Sequence, residues 1–472
     1  MKHIDFLSKA TLVSTLALLL MLLAGCNRKP AENIIRVPVP ARPAGQMDAL
    51  GLTAEPIDTV RIGVVGLGMR GSEAVRRLGY IPGARITALC DLLPERVEAS
   101  AALMREMGGP EAVGRYSGAQ ESWRGLCEQP DVDLVYICTD WLNHYPIAMY
   151  AMECGKHVAI EVPAALDLDE IWGLVNQCEK TRKHCMMLEN CVYDFFEMTT
   201  LEMARRGVFG EVIHVEGAYC HNLDPFWDEY WNNWRLDYNQ KVRGDVYPTH
   251  GIGPVCQVLN IHRGDRMTTL VSMDTKSFNG AKIASNHEGR PVTEFANGDE
   301  TSTLIRTEKG KTLLIEHDVM TPRPYSRMYQ VVGTDGYAAK YPIQQYCLRV
   351  DKPADQVDAR HISDEKTYSG EELRALQEGY RNEILTPEFE ELAKSVGGHG
   401  GMDFIMDYRL VYCLHHGLPL DMDVYDLAEW CAVAPLSRLS LENGSMPVEV
   451  PDFTRGGWNR LDGFRYAFAK GE

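Results

Sequence analysis

Positive charge is scarce in this 472-residue chain: 48 lysines and arginines face 66 aspartates and glutamates, a formal charge of −18. A chain this acidic lacks the basic footprint of a nucleic-acid binder and disfavours polyanionic ligands in general. Long apolar runs are missing too. The almost unbroken one at Ala10–Leu23 has 14 residues, too few to span a bilayer comfortably as a helix. The 13 cysteines include no CxxC pair, and neither HExxH nor GxSxG occurs. Those absences remove the short signatures of a zinc peptidase and of a hydrolase nucleophile elbow. His415-His416 is an adjacent pair on an expected helix and reads as surface rather than as a zinc site. No internal repeat is visible.

What is present begins with a leader. Lys2 and Lys9 precede the apolar run, which ends in Leu23-Ala24-Gly25-Cys26, the order of a signal peptide with a lipobox. An uncleaved anchor helix is the weaker alternative. The stretch resembles bacterial lipoproteins, which implies lipid on Cys26. Asn27 is not the aspartate that signals inner-membrane retention, so the expected location is the outer membrane, facing periplasm or cell surface. No twin arginine precedes the run, which predicts export of an unfolded chain. Residues 1–25 carry two lysines and one aspartate, so the remainder has a charge of −19. Residues 27–55, with Pro30, Pro38, Pro40 and Pro43, read as a partly extended tether. Cys90, Cys138, Cys178, Cys185, Cys256 and Cys431 lie in apolar or periodic segments and read as buried thiols.

The folded part begins at Thr59. Val60–Val65, Arg85–Cys90, Asp133–Cys138, His157–Ile160 and Cys185–Leu188 read as strands. Helices are expected from the glycines after Val65 to about Leu78, over Pro94–Met107, from about Tyr145 to Cys154 and over Leu168–Thr181. That alternation means βαβ units and a mostly parallel sheet. After Val192 the texture changes. A helix is expected over 194–206, and then Val212–Tyr219, Thr269–Ser277, Thr301–Thr307, Thr312–His317 and Tyr329–Gly333 alternate without long helices between them, which predicts an antiparallel sheet. Residues 220–266 read as a long loop insertion dense in aromatics, among them Trp227, Trp231 and Trp234, and suited to form a pocket wall. Residues 371–395 and 401–435 are helical and amphipathic, and 447–472 is a Pro/Gly/aromatic wrap.

Gly66-Leu67-Gly68-Met69-Arg70-Gly71 sits between the first strand and its helix, and Asp91 stands twenty residues past Gly71 at the end of the second strand. That is the setting a dinucleotide fingerprint requires. Gly66 permits the tight turn, Gly68 lets the backbone approach a pyrophosphate, and Gly71 lets helix and strand pack closely. Phosphates would take the free N–H groups of the helix start. Asp91 would accept from the adenosine ribose 2′-OH and repel a 2′-phosphate, favouring NAD over NADP. The ends of the third and fourth strands, Thr139–His144 and Glu161-Val162-Pro163, fall where a nicotinamide ribose would lie. The fold class expected is an α/β Rossmann-type nucleotide-binding domain followed by an α+β domain with a mainly antiparallel open sheet. Its expected divisions are the signal peptide 1–25, the lipidated tether 26–56, the dinucleotide-binding domain 57–190, the substrate-binding domain 191–445 and the C-terminal wrap 446–472.

Over about residues 57–470 the chain resembles the Gfo/Idh/MocA oxidoreductase superfamily. Within it, the resemblance is to the NAD-dependent glycoside hydrolases of family 109, typified by bacterial α-N-acetylgalactosaminidases. It rests on GLGMRG (66–71), CD (90–91), DWLNH (140–144), EVPAA (161–165), LENCVY (188–193), GVFGEV (207–212), YPTHGIGP (247–254), IHRGDR (261–266) and PRPYSR (322–327), in that order. Sugar dehydrogenases of this superfamily carry Glu-Lys-Pro at the fourth strand end and an aspartate four before the active-site histidine. Here those places hold Val162 and Val246, with Asp245 one position off. Two parts of the usual alcohol-oxidation apparatus are therefore missing, which weighs against a free-standing dehydrogenase.

The resemblance places NAD against Gly66, Gly68, Met69, Arg70, Gly71, Asp91, Trp141, Asn143, His144, Glu161, Val162 and Asn190. It places a sugar among Tyr193, Tyr219, Arg235, Tyr247, Thr249, His250 and Tyr325, with His250, Tyr325, Tyr247 and Tyr193 as the catalytic candidates. Tyr329 is close enough in sequence to exchange with Tyr325 in an alignment. His250 has the best intrinsic pKa for acid–base work, whereas Tyr247 and Tyr325 would need a neighbouring positive charge, such as nicotinamide or Arg235. The implied reaction oxidises the sugar at C3, removes the acidified C2 proton, expels the group at C1, adds water and returns the hydride. The implied substrate is a terminal α-N-acetylgalactosamine on a glycan. Another galactoside or glucoside, or plain sugar dehydrogenation, stays open, as does self-association. No pair of carboxylates stands out for a conventional glycosidase mechanism.

Overall fold

The structure, a computed structural model, describes residues 33–109, 113–350 and 364–469. The expected signal peptide and Cys26 lie outside the described residues.

The first sheet has six parallel strands in the order β3-β2-β1-β4-β5-β6. They are β1 Val60–Val65, β2 Ala84–Asp91, β3 Gly114–Ser117, β4 Leu134–Ile137, β5 His157–Ile160 and β6 Cys185–Met187. β4 and β5 are buried along their whole length, as expected for a sheet covered on both faces by its crossover helices. Strand order reverses between β1 and β4, so their carboxyl ends open the crevice in which such sheets bind ligands. The sequence reading misses β3, a partly exposed edge strand, and the short helix Trp123–Cys127. The helix Trp141–Glu153 starts four residues before Tyr145 because the Asp140 side chain caps it, accepting from the Leu142 N–H at 3.1 Å. Trp141, Asn143 and His144 therefore stand on its first turns rather than in a loop.

The second sheet has nine strands, ordered β14-β13-β12-β11-β7-β10-β9-β8-β15. They are β7 Val212–Cys220, β8 Met267–Asp274, β9 Thr301–Thr307, β10 Thr312–Asp318, β11 Gln330–Gly333, β12 Gly336–Ala339, β13 Gln345–Arg349, β14 Glu365–Tyr368 and β15 Val448–Glu449. All its pairs are antiparallel except β7 with β10. The expectation of a loop across 220–266 is corrected here, and short helices stand where no long ones were expected. Trp234–Lys241, Thr249–Val258 and Gly280–Glu288 are helices.

The helix Thr249–Val258 hides in the sequence because it contains Gly251, Gly253 and Pro254, all poor helix formers. Contact explains Gly251. A Cβ on it would stand 2.5 Å from the Ala218 nitrogen, and one on Gly217 would stand 2.1 Å from the Gly251 carbonyl oxygen. Helix and β7 thus meet backbone to backbone, which sets the His250 ring 5.4 Å from that of Tyr219. The two helical regions near the C-terminus each divide in two: Gly370–Gly379 and Pro387–Val396, then Met402–His416 and Val424–Glu442.

Residues 33–56 are not a free tether. Ile35 bridges to Val448, and Val37, Ala49 and Leu52 are buried. Arg42 in this strap donates to Glu179 on the helix Leu168–Thr181 at 2.9 Å. The same buried carboxylate accepts from the Tyr425 hydroxyl at 2.6 Å and from Arg455 of the C-terminal wrap at 2.9 Å. One side chain thereby ties both ends of the described chain to the first domain. The cysteines among the described residues are all free thiols; of those read as buried, Cys138 alone is only partly so.

Removing one partner of a buried ionic cluster leaves the others uncompensated. Glu179→Ala is expected to cost about 3–5 kcal/mol in unfolding free energy and to expose 33–56 to protease. Unchanged denaturation and proteolysis would show that the strap is held by its apolar contacts alone.

Candidate active site

The dinucleotide fingerprint folds as its spacing predicts. Gly66 has φ +87° and lies so close to β4's end that a Cβ would meet the Cys138 carbonyl at 2.6 Å. A Cβ on Gly71 would fall 1.8 Å from the Gly66 oxygen. Neither position tolerates a side chain. A Cβ on Gly68 would meet nothing nearer than the Arg96 guanidinium at 3.4 Å, so its backbone is open to the cavity it lines. Asp91 accepts from the backbone N–H of Leu67 at 2.6 Å and of Leu93 at 2.9 Å. Its carboxylate is thus fixed at the edge of the same cavity, with Arg96 3.7 Å away. The glycine cradle, the open helix start of Met69–Leu78 and the anchored acid fit NAD. Asn143, bonded to Asp140 at 2.7 Å, lines the cleft from below, and Tyr230, Trp231 and Trp234 of the second domain close it from the other side.

At Met69 and Arg70 this cleft meets a second, inner cavity. Arg70 donates to Glu161 at 2.9 Å and to Asp403 at 3.0 Å, and Asn190 donates to the other oxygen of Asp403. Trp141 donates its indole N–H to the Val162 carbonyl at 3.1 Å. The buried His144 ring lies between the carbonyls of Pro163 at 2.8 Å and Thr139 at 3.1 Å. His144 and Trp141 therefore clamp the two strand ends together, and they line the cavity with Met69, Arg70, Glu161, Val162 and Asn190.

The inner cavity collects Tyr219, His221, Arg235, Tyr247, His250 and His399. Arg235 is buried among four rings. Its guanidinium carbon lies 4.4 Å from the Tyr247 centroid, 5.1 Å from Tyr230, 5.2 Å from Trp141 and 5.8 Å from Tyr219, and it donates to the Tyr230 hydroxyl at 2.6 Å. The positive charge expected near Tyr247 is present. Burial nevertheless outweighs it and pushes the Tyr247 phenol well above its ordinary value, while that of Tyr219 is pushed up to about 12. Tyr247 is thus a hydrogen-bond donor before it is a base. Its hydroxyl lies 3.2 Å from His250 Nε2, and His250 Nδ1 lies 2.7 Å from the Glu189 carboxylate.

Several expectations need correction. Tyr193 is fully buried and donates to Asp421 at 3.1 Å, away from the cavity. Thr249 is likewise buried and does not line it. Trp227 belongs to the core. Tyr325 and Tyr329 are told apart: Tyr329 is 1 % exposed and packs on Phe196, whereas Tyr325 is 43 % exposed, does not line the inner cavity and stands edge-on to the cavity residue His221 at 5.2 Å. The cation beside Tyr325 is Arg327, which donates to its hydroxyl at 3.2 Å, rather than Arg235.

The sequence reading passes over Glu189, His221 and His399. Glu189 lay inside the quoted LENCVY segment. His399 had a signal of its own in the sequence Gly397-Gly398-His399-Gly400-Gly401; all five residues adopt positive φ, His399 included, a path that the flanking glycines make accessible. It is held through Nδ1 by Asp403 at 2.9 Å.

Residues 60–189 match the oxidoreductase family with an NAD-binding Rossmann fold, and residues 193–460 match the C-terminal domain of glycosyl hydrolase 109. A glycosyl hydrolase family 109 protein of Bacteroides thetaiotaomicron is 63 % identical over 442 residues, covering 92 % of this chain and 93 % of the relative. One of Porphyromonas gingivalis is 61 % identical over 442 residues with the same coverage. Among solved structures, a levoglucosan dehydrogenase in complex with NADH and levoglucosan superposes with a TM-score of 0.60 at 17 % identity, covering 84 % of this chain and all of the other. That likeness bears on the fold. With the glycine cradle and Asp91 in place for NAD, and with identity above half along nearly the whole length, the chain belongs to glycosyl hydrolase family 109, a family of NAD-dependent glycosidases.

Proposed function

We propose that this protein releases terminal α-linked N-acetylgalactosamine from glycans by a redox-neutral elimination and hydration. The observation that carries this reading is the proton-carrying chain Tyr247–His250–Glu189, which opens on the cavity that adjoins the NAD cleft. NAD, when bound, supplies a hydride acceptor and then a hydride donor, so the redox change cancels over a turnover. The protein's own part is acid–base and electrostatic. His250 Nε2 is placed to take a proton, with the Tyr247 hydroxyl as its neighbour. Once C3 of the sugar is a ketone, the C2 proton is acidified by enolate formation, and a second proton carrier is needed. His399 lines the same cavity and is more than half exposed at its mouth. The buried guanidinium of Arg235 is suited to an oxyanion, because its charge is desolvated among aromatic rings. Val162 in place of the dehydrogenase lysine supports hydrolysis over net oxidation.

The acidic surface favours a neutral sugar with a free 3-OH. On the strength of the lipobox at Leu23–Cys26 we also propose a lipid anchor on Cys26 in the outer membrane, facing periplasm or cell surface.

Three outcomes follow from this reading. Asp91→Ala should weaken NAD binding by about 1.5–3 kcal/mol in a calorimetric titration, the scale of a lost charge-assisted hydrogen bond; equal binding of NADP by the unmodified protein would contradict the place given to Asp91. Turnover of an aryl α-N-acetylgalactosaminide should release phenol without accumulating NADH, and in D₂O it should place deuterium at C2 of the product. Exchange-free hydrolysis, or NADH rising in step with phenol, rules the route out. His250→Ala should lower turnover by roughly 10²–10⁴-fold with NAD still bound, and Tyr325→Phe should lower it without disturbing packing.

A further inference from the structure

Glu189 stands two residues past β6 and closes the segment that matches the Rossmann domain. Its side chain is wholly buried, with the Thr249 side chain beside it. Burial alone would raise its pKa. The imidazole of His250 and the backbone N–H of Cys191, at 3.1 Å, instead hold it below the ordinary carboxylate range, so the group is an anion. The contact depends on position 253, three residues beyond His250 on the same helix. A Cβ there would lie 2.9 Å from Glu189 Cγ, and the residue is glycine.

A carboxylate only accepts, so the proton of the neutral His250 ring sits on Nδ1. Nε2 then carries the lone pair and faces Tyr247. The other charged, phenolic and imidazole groups lining this cavity are Tyr219, Tyr230, Tyr247, Arg70, Arg235, His144, His221 and His399 with the carboxylates Glu73, Glu161 and Glu229; Glu161 is taken up by Arg70, and Glu189 is the carboxylate bonded to His250. Glu189, Cys191 and His250 also have ligand atoms within 4.8 Å of one another, which would suit a cation. Burial keeps the Cys191 thiol protonated, however, and it donates to the Asn190 side chain at 3.4 Å.

We infer that Glu189 is a positioning residue of the reaction: it fixes the His250 tautomer that leaves Nε2 free to take a proton, and it stabilises the imidazolium that results. The inference rests on the reading of His250 as a proton carrier. It gives the two domains a joint role in one proton transfer, because the carboxylate comes from the first and the imidazole from the second. Losing the first domain's contact would misplace the base even with the cavity intact.

The NAD-loaded variant Glu189→Gln tests this, since it keeps shape and removes charge. The expected result is a fall in kcat of roughly 10²–10⁴-fold with KM and NAD content changed less than about twofold. The acidic limb of kcat/KM should move to lower pH, because removing a neighbouring negative charge makes the imidazolium less stable. In ¹⁵N spectra of the histidine-labelled parent enzyme, the neutral His250 ring should carry its proton on Nδ1; the glutamine oxygen of the variant can still accept that proton, so the tautomer is read in the parent and the charge effect in the variant. Should Glu189→Gln not fold, Gly253→Ala keeps both groups and forces them apart, and should move kcat and the pH limb in the same directions. With His250→Ala inactive, an unshifted limb in Glu189→Gln, or an Nε2–H tautomer of His250 in the parent, would overturn the role of Glu189 alone. Normal turnover in His250→Ala would instead bring down the functional reading. One equivalent of metal in the purified enzyme, lost on Glu189→Gln, would reassign the cluster and overturn the inference.

Discussion

The ionic network around Arg70 is the constraint on which the two-domain arrangement depends. Arg70 and Arg77 lie on one helix behind the glycine cradle, and both reach Asp403. Arg70 also binds Glu161 after β5, and Arg77 binds Asp407, which in turn accepts from the Tyr136 hydroxyl on β4 at 2.7 Å. Burial would raise Asp403, but Arg70, His399 and Arg77 hold it well below the ordinary carboxylate range. Buried ion pairs are poor sources of net stability, yet losing one member is costly. Their effect here is geometric. They tie the helix Met402–His416, which carries Asp403 and Asp407, to the helix Met69–Leu78, to β4 through Tyr136 and to the end of β5 through Glu161.

That docking makes one active site from two domains. The cleft for the dinucleotide belongs mainly to the first domain and is closed by Tyr230, Trp231 and Trp234 of the second. The inner cavity is shared: its phenols, the imidazoles of His221, His250 and His399 and the buried guanidinium of Arg235 come from the second, and Arg70, His144, Glu161 and Asn190 from the first. Aromatic rings around Arg235 do more than fill space. They exclude water without neutralising the cation, and a charge in such a setting acts more strongly on a developing oxyanion than it does in solvent. The same burial keeps Tyr219 and Tyr247 protonated and leaves proton uptake to the histidines.

The features legible in the sequence are those encoded within one strand–turn–helix unit. Gly66, Gly68, Gly71 and Asp91 lie within 26 residues of one another, and their roles follow from backbone sterics that no distant contact changes. The alternation of apolar runs and helical stripes through residue 188 likewise fixes the parallel sheet, because burial on both faces leaves a local mark. Where local signals conflict with packing, the reading goes astray. Thr249–Val258 looks like a loop because its glycines serve contact with β7, and residues 33–56 look like a tether because their anchors lie at Glu179 and Val448.

By itself, then, the sequence determined the NAD cleft and the order of the two domains, and its likeness to family 109 pointed to His250, Tyr247 and Arg235, which line the inner cavity together. Tertiary structure alone decided which neighbours make them reactive. It sent Tyr193 to Asp421, separated Tyr325 from Tyr329 and brought in His399. It also placed Glu189 against a histidine 61 residues away. The physical reason is range: turn geometry and anion-binding helix starts are settled over a few residues, whereas a hydrogen bond between side chains on two domains exists only after both cores have packed and their interface has closed.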